Sequence, residues 1–139
     1  MKKFIIVIIG FLTLVGCKEC PIRGGFPEKI TDPNTSPNRP TNGCKVDLTT
    51  NFKNNCNIKL YVFYLEIDPG AFIKCEELQY GGELSPNQSK QYIIHKGKLG
   101  YFVFAEALDA KCTDSQIKSL KWVDCSNSTS NTGFFDTCY

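Results

Sequence analysis

Histidine is nearly missing from this chain: His95 is the only one in 139 residues. A Ser–His–acid or Cys–His centre would have to be built on it. Its place at a strand end, between Ile94 and Lys96-Gly97, suits an exposed or packing side chain, so no catalytic residue is assigned and the chain is expected not to be an enzyme. Clustered metal ligands are missing too. Glu66 with Asp68, and Glu76 with Glu77, lie in turn-rich sequence without the alternating oxygen ligands of a calcium loop, so no metal and no cofactor is expected. No Gly-rich phosphate loop or zinc-enzyme motif occurs. A charge excess is also lacking. Lys2 and Lys3 lie in the leading segment, and without them 14 Lys and Arg face 14 Asp and Glu. That balance gives no reason to expect a nucleic-acid partner. Finally, the apolar run Phe4 to Val15 falls short of the roughly 20 residues that a membrane-spanning helix needs.

That short run is informative in itself. Lys2-Lys3, then an apolar stretch, then Leu14-Val15-Gly16-Cys17 have the order of an export signal: a positive start, a core and a small residue before the cut. Leu14-Val15-Gly16-Cys17 resembles the lipobox of bacterial lipoproteins. The resemblance implies a signal peptide over residues 1–16 and a diacylglycerol on the Cys17 thiol. It also implies an acylated new amino terminus, carrying for example palmitate. A chain so modified would be anchored in the cell envelope, with the outer membrane favoured by Lys18, facing either the periplasm or the surface. More than one acyl chain makes such an anchor lasting, at about 0.8 kcal/mol per buried methylene.

Export changes how the cysteines read. Eight are present, and the lipobox resemblance implies that lipid would take Cys17. Cys44, Cys56, Cys75, Cys112, Cys125 and Cys138 are candidates for disulfides, with fifteen pairings open. Cys20 is left over: free, bridging between molecules, or displacing one of the six. Cys17 and Cys20 have C-x-x-C spacing, but a thioether can neither ligate a metal as thiolate nor exchange disulfides.

Five of the seven prolines fall within residues 17–43, which read as the lipidated cysteine and a flexible Pro-rich tether; an arm folded onto the domain is the other reading. Residues 44–139 read as the domain. Lys45 to Phe52 alternates Val46, Leu48, Thr50 and Phe52, as a half-buried strand does. Lys53-Asn54-Asn55 is a turn cluster. Lys59 to Ile67 and Leu99 to Ala107 are apolar on both faces, as central strands are. A short strand is expected over Ala71 to Cys75, a bend over Gln79 to Leu84 at Gly81-Gly82, and a turn over Ser85 to Ser89. A strand over Lys90 to His95 follows, with a hairpin connection at Lys96-Gly97-Lys98. One helical turn capped by Thr113 and Gln116 and a last core strand through Leu120 and Trp122 come next, then a polar loop over Ser126 to Thr132 and renewed apolar weight over Gly133 to Tyr139 with Phe134, Phe135 and Cys138. The pattern predicts an all-β fold: a small antiparallel β-sandwich of about six to eight strands stapled by disulfides. The expected core is Val46, Leu48, Leu60, Val62, Tyr64, Ile94, Phe102, Phe104, Leu120 and Trp122. Of the aromatics Tyr61, Phe63, Tyr80, Tyr92 and Tyr101, any that face outward would mark an interaction surface.

Within the domain, Asn55-Cys56, the aromatic strand after it, Leu84 to Ser89, Tyr92, His95 and Tyr101 to Ala107 are similar in order to the small β-sandwich of the von Hippel–Lindau type. The resemblance implies topology only, since Asn87 stands where that family has glycine in its turn. Together these readings point to a non-enzymatic envelope lipoprotein that binds a protein or glycan. An inhibitor or immunity-type lipoprotein, a secretion-system lipoprotein, and a weak hydrolase using His95 are the alternatives.

Overall fold

A computed structural model describes residues 32–113, 115–125 and 132–137, with backbone alone for 132–136. The fold is all-β. Its strands are β1 (Leu48–Lys53), β2 (Leu60–Ile67), β3 (Gln79–Leu84), β4 (Ser89–Ile94), β5 (Leu99–Ala105), β6 (Ile117–Val123) and β7 (Thr132–Asp136). Two sheets form, a three-stranded one in the order β4-β1-β7 and a four-stranded one in the order β3-β2-β5-β6. Neighbours are antiparallel except β1 and β7, which run parallel. The β7 strand arrives from the other sheet, so no hairpin constrains its direction.

The inner core lies between the sheets. Leu48, Phe52 and Ile94 of the small sheet meet Leu60, Val62, Leu84, Phe102, Phe104 and Val123 of the large one. Phe52 is the hub: its ring centroid lies 4.5 Å from that of Phe102 and 4.9 Å from that of Phe104. In β1 Leu48, Thr50 and Phe52 are buried as expected, but Asn51 on the other face is buried too, and Val46, expected in the core, precedes the strand and is exposed.

A second apolar cluster covers the outer face of the large sheet. Phe63, Ile67, Leu99, Tyr101, Val103 and Ala105 pack there against Ile73, Leu78 and Ala110 from two crossing loops. This explains why β5 is buried along its whole length. Leu120 and Trp122 are half-buried in this outer cluster rather than in the inner core. Residues 32–43 lie against the same side as an arm. Asn34 clasps the Ile73 backbone, accepting from its N–H at 2.6 Å and donating to its carbonyl at 3.0 Å. The Arg39 guanidinium donates to the Ala71 carbonyl and sits 5.2 Å from the Trp122 ring centroid. Of the two readings of the Pro-rich segment, residues 32–43 follow the folded arm.

Four local expectations differ from the structure. Residues 71–74 form a loop, because Asn34, not a strand, takes the Ile73 hydrogen bonds. The Gly81-Gly82 stretch is strand rather than bend. A bulge opposite Val62 and Phe63 absorbs the irregularity, and Gly82 takes φ +104°. Lys90 and Tyr92 both donate to the Gly81 carbonyl, at 2.6 and 3.2 Å, stapling the edges of the two sheets where a Gly82 Cβ would meet Lys90 Nζ. The Lys96–Lys98 connection is not a hairpin: β4 pairs with β1 and β5 with β2, so the turn carries the chain between sheets. The helical turn is Ala110–Cys112, and Thr113 closes its C-terminal end by donating to the Ala110 carbonyl at 3.3 Å.

Candidate functional site

The loops over the outer face leave a cleft of about 340 Å³. Its floor is the large sheet, through Tyr101 and Val103 of β5 and Ile117 and Leu120 of β6. Its walls are Ile73 and Leu78 on one side and the arm residues Asp32 and Pro33 on another. The volume lies within the range of small-molecule and side-chain pockets, about 300–1,000 Å³. Sequence explains its position. The turns Cys75–Glu77 and Ala110–Cys112 are too short to cover a sheet, and the Cys75–Cys112 disulfide, with Cα atoms 5.7 Å apart, ties them together as a strap. Lys111 reinforces the strap by donating to the Leu78 carbonyl at 3.0 Å.

Polar chemistry in the cleft is sparse. Burial pushes the Tyr101 phenol up to about 12, helped by the negative charge of Asp32. Like an unperturbed phenol, it is neutral at physiological pH and can donate a hydrogen bond. With the Asp32 carboxylate and the Lys111 ammonium beside an apolar floor, the cleft suits an apolar group carrying a polar edge. One signal for it was legible beforehand: β5, apolar on both faces, required a second covered surface, but the covering loops were not legible.

Elsewhere the fold joins Glu66 and His95, residues considered separately in the sequence. His95 Nδ1 lies 2.9 Å from Glu66 Oε2, and the His95 backbone N–H donates to Glu66 Oε1 at 3.0 Å. The hydrogen bond to Glu66 and its charge raise the His95 pKa above the ordinary 6.5, with Asp47 contributing less. The imidazole is exposed, and neither residue lines the cleft. The raised pKa fixes the sign of a pH effect. The contact stabilises the fold fully below the unfolded value near 6.5, and this contribution is lost as pH rises through the folded value. Glu66→Gln is expected to return the His95 pKa toward 6.5, read from the imidazole proton shifts in an NMR titration. An unchanged midpoint would show that the contact is not formed in solution.

Of the candidate disulfide cysteines, Cys44 pairs with Cys125 and Cys75 with Cys112. Cys56 is also disulfide-bonded. Cys138, Cys20 and the lipidation candidate Cys17 lie outside the described residues, as does the signal segment. Among the aromatics, Phe63 and Tyr101 are buried, Tyr61, Tyr64 and Tyr92 half-buried and Tyr80 exposed. Among the described residues, no group of three or more His, Cys, Asp or Glu side chains could hold a metal ion, and no helix is long and apolar enough to cross a membrane. No protein-family model, curated protein or solved structure matches the chain.

Proposed function

We propose that the chain is a lipid-anchored bacterial envelope protein whose β-sandwich binds a partner protein in the outer cleft. The observation that carries the binding role is the strapped cleft itself: an apolar floor with Tyr101, Asp32 and Lys111 beside it. Such a pocket takes one apolar side chain of a partner while the rim satisfies the neighbouring polar groups. The lipobox-like order of residues 1–17 supports the anchor, and the disulfides suit an oxidising envelope compartment.

Both halves are testable in the producing cell. Labelling with an alkynyl palmitate is expected to mark the wild-type chain in the membrane fraction and to miss Cys17→Ser. A photo-crosslinking residue at position 117 is expected to give a discrete adduct that disappears when Leu120→Arg fills the cleft. An unlabelled wild-type chain would overturn the anchor. An adduct indifferent to Leu120→Arg would overturn the cleft as binding site.

The Glu66–His95 contact favours one other reading, a hydrolase in which Glu66 orients the imidazole and the second ring nitrogen moves the proton. Turnover abolished by His95→Ala would establish it in place of the binding role.

A further inference from the structure

Phe72 is the most exposed large apolar side chain among the described residues, at 75%. Its backbone is nevertheless held on both sides. Ala71 N–H donates to the Asp68 carbonyl at 3.0 Å, and the Ala71 carbonyl accepts from Arg39. Ile73 is clasped through both its N–H and its carbonyl by Asn34. A loop restrained by two arm residues thus presents a rigid aromatic to solvent, which lowers the ordering cost of any contact it makes.

The charges around this loop favour one occupant. The loop leaves β2 at Ile67, which pairs with Leu99, so it lies at the same end of the sandwich as the 95–98 turn. Of the acids there, Glu66 is engaged by His95, Asp68 by Lys98 at 2.8 Å and Asp47 by the Lys96 N–H at 2.7 Å, and Asp124 also has a partner. Farther along the loop, the exposed Lys74 is offset by the exposed Glu76 and Glu77. Lys45 and Lys96 are exposed and form no ion pair among the described residues. Lys45 precedes the exposed Val46. A lone protruding aromatic beside unpaired lysines lacks the surrounding apolar rim that a protein interface core shows. It fits the headgroup boundary of a bilayer, which needs no matching shape and attracts lysine with its anionic lipids.

The geometry points to Phe72, with Lys45 and Lys96, as a contact surface for an anionic membrane. This rests on the lipid-anchor reading for its strength. Fourteen residues lie between Cys17 and Asp32, a span of at most about 50 Å, so an anchored domain stays at high effective concentration beside the bilayer. A weak contact then suffices to set the domain's orientation.

The test uses the full-length chain reconstituted in vesicles of phosphatidylcholine alone or mixed with phosphatidylglycerol. Phe72→Trp adds a second indole to Trp122. Its added emission is expected to be blue-shifted and quenched by brominated acyl chains in the anionic vesicles, and to remain aqueous in the neutral ones. Lys45→Glu with Lys96→Glu is expected to weaken that quenching by at least about fivefold. An anchored chain whose added emission stays aqueous and iodide-quenched on both vesicles overturns the surface, leaving Phe72 to a protein partner. A chain that proves unlipidated yet floats with anionic vesicles only while Phe72 is present upholds the surface and overturns the anchor.

Discussion

Replacing Asn54 by alanine is expected to remove about 3–5 kcal/mol of stability, a large share of the 5–15 kcal/mol typical of a domain. Asn54 is fully buried. Its Nδ2 donates to the Ile58 and Leu84 carbonyls, each at 2.8 Å, and its Oδ1 accepts from the Cys56 N–H at 2.8 Å. Its backbone donates to the Gln88 carbonyl at 2.9 Å and accepts from the Asn87 N–H at 2.8 Å. One residue thus fixes the turn after β1, the end of β3 and the turn into β4. Alanine keeps the backbone pair but strands the Cys56 N–H and the Leu84 carbonyl in the interior. Each orphaned group costs about 1–3 kcal/mol, and the emptied volume adds to that. Asn54→Asp keeps the shape and the acceptor, loses both donors and buries a charge, so it is expected to be at least as damaging at neutral pH. Urea unfolding with the disulfides intact measures both variants. A loss under about 1 kcal/mol for alanine would mean that water replaces the amide.

Asn54 also marks where sequence reasoning ends. Lys53-Asn54-Asn55 was legible as a turn; in the structure Lys53 ends β1, Asn54-Asn55 begin the connection and the chain bends at residues 56–58. The composition of a turn says exposed, however, while the side chain is buried because its partner Leu84 lies 30 residues away. Non-local satisfaction leaves no local pattern. The same limit hid the outer cluster. Two-faced strands announce themselves by composition, and β2 and β5 were legible as central. What covers their second face is a pair of irregular loops and a Pro-rich arm, whose docking depends on single side chains such as Asn34 and Arg39. Phe72 was unremarkable in the sequence for a related reason: an aromatic in a short apolar stretch reads as strand, and only the clasp on either side turns it outward.

The cysteines carry the second large effect. Removing the Cys44–Cys125 bridge by double alanine substitution is expected to cost about 4.5 kcal/mol, the loop-closure entropy for its sequence separation of 81. Both half-cystines are buried in the inner core, so a cavity adds to the entropic loss. The bridge holds more than two strands. Cys44 donates to the Lys98 carbonyl at 2.9 Å and accepts from the Gly97 N–H at 2.8 Å, so the arm, the inter-sheet turn and the end of β6 meet at one point. The Cys75–Cys112 bridge spans a separation of 37, for which closure alone gives about 4 kcal/mol. Its loss is expected to cost less than that figure, because it straps loops over the cleft and leaves the inner core filled. Cys112 is also exposed, whereas Cys44 and Cys125 are each only 2% accessible. Thiol–disulfide exchange requires the attacking thiolate to reach a sulfur. Stepwise native reduction with alkylation is therefore expected to label Cys75 and Cys112 first, while urea unfolding ranks Cys44→Ala/Cys125→Ala as the more damaging pair. Simultaneous labelling of all four cysteines would mean that the strap and the core open together, so the cleft would lack a separately releasable wall.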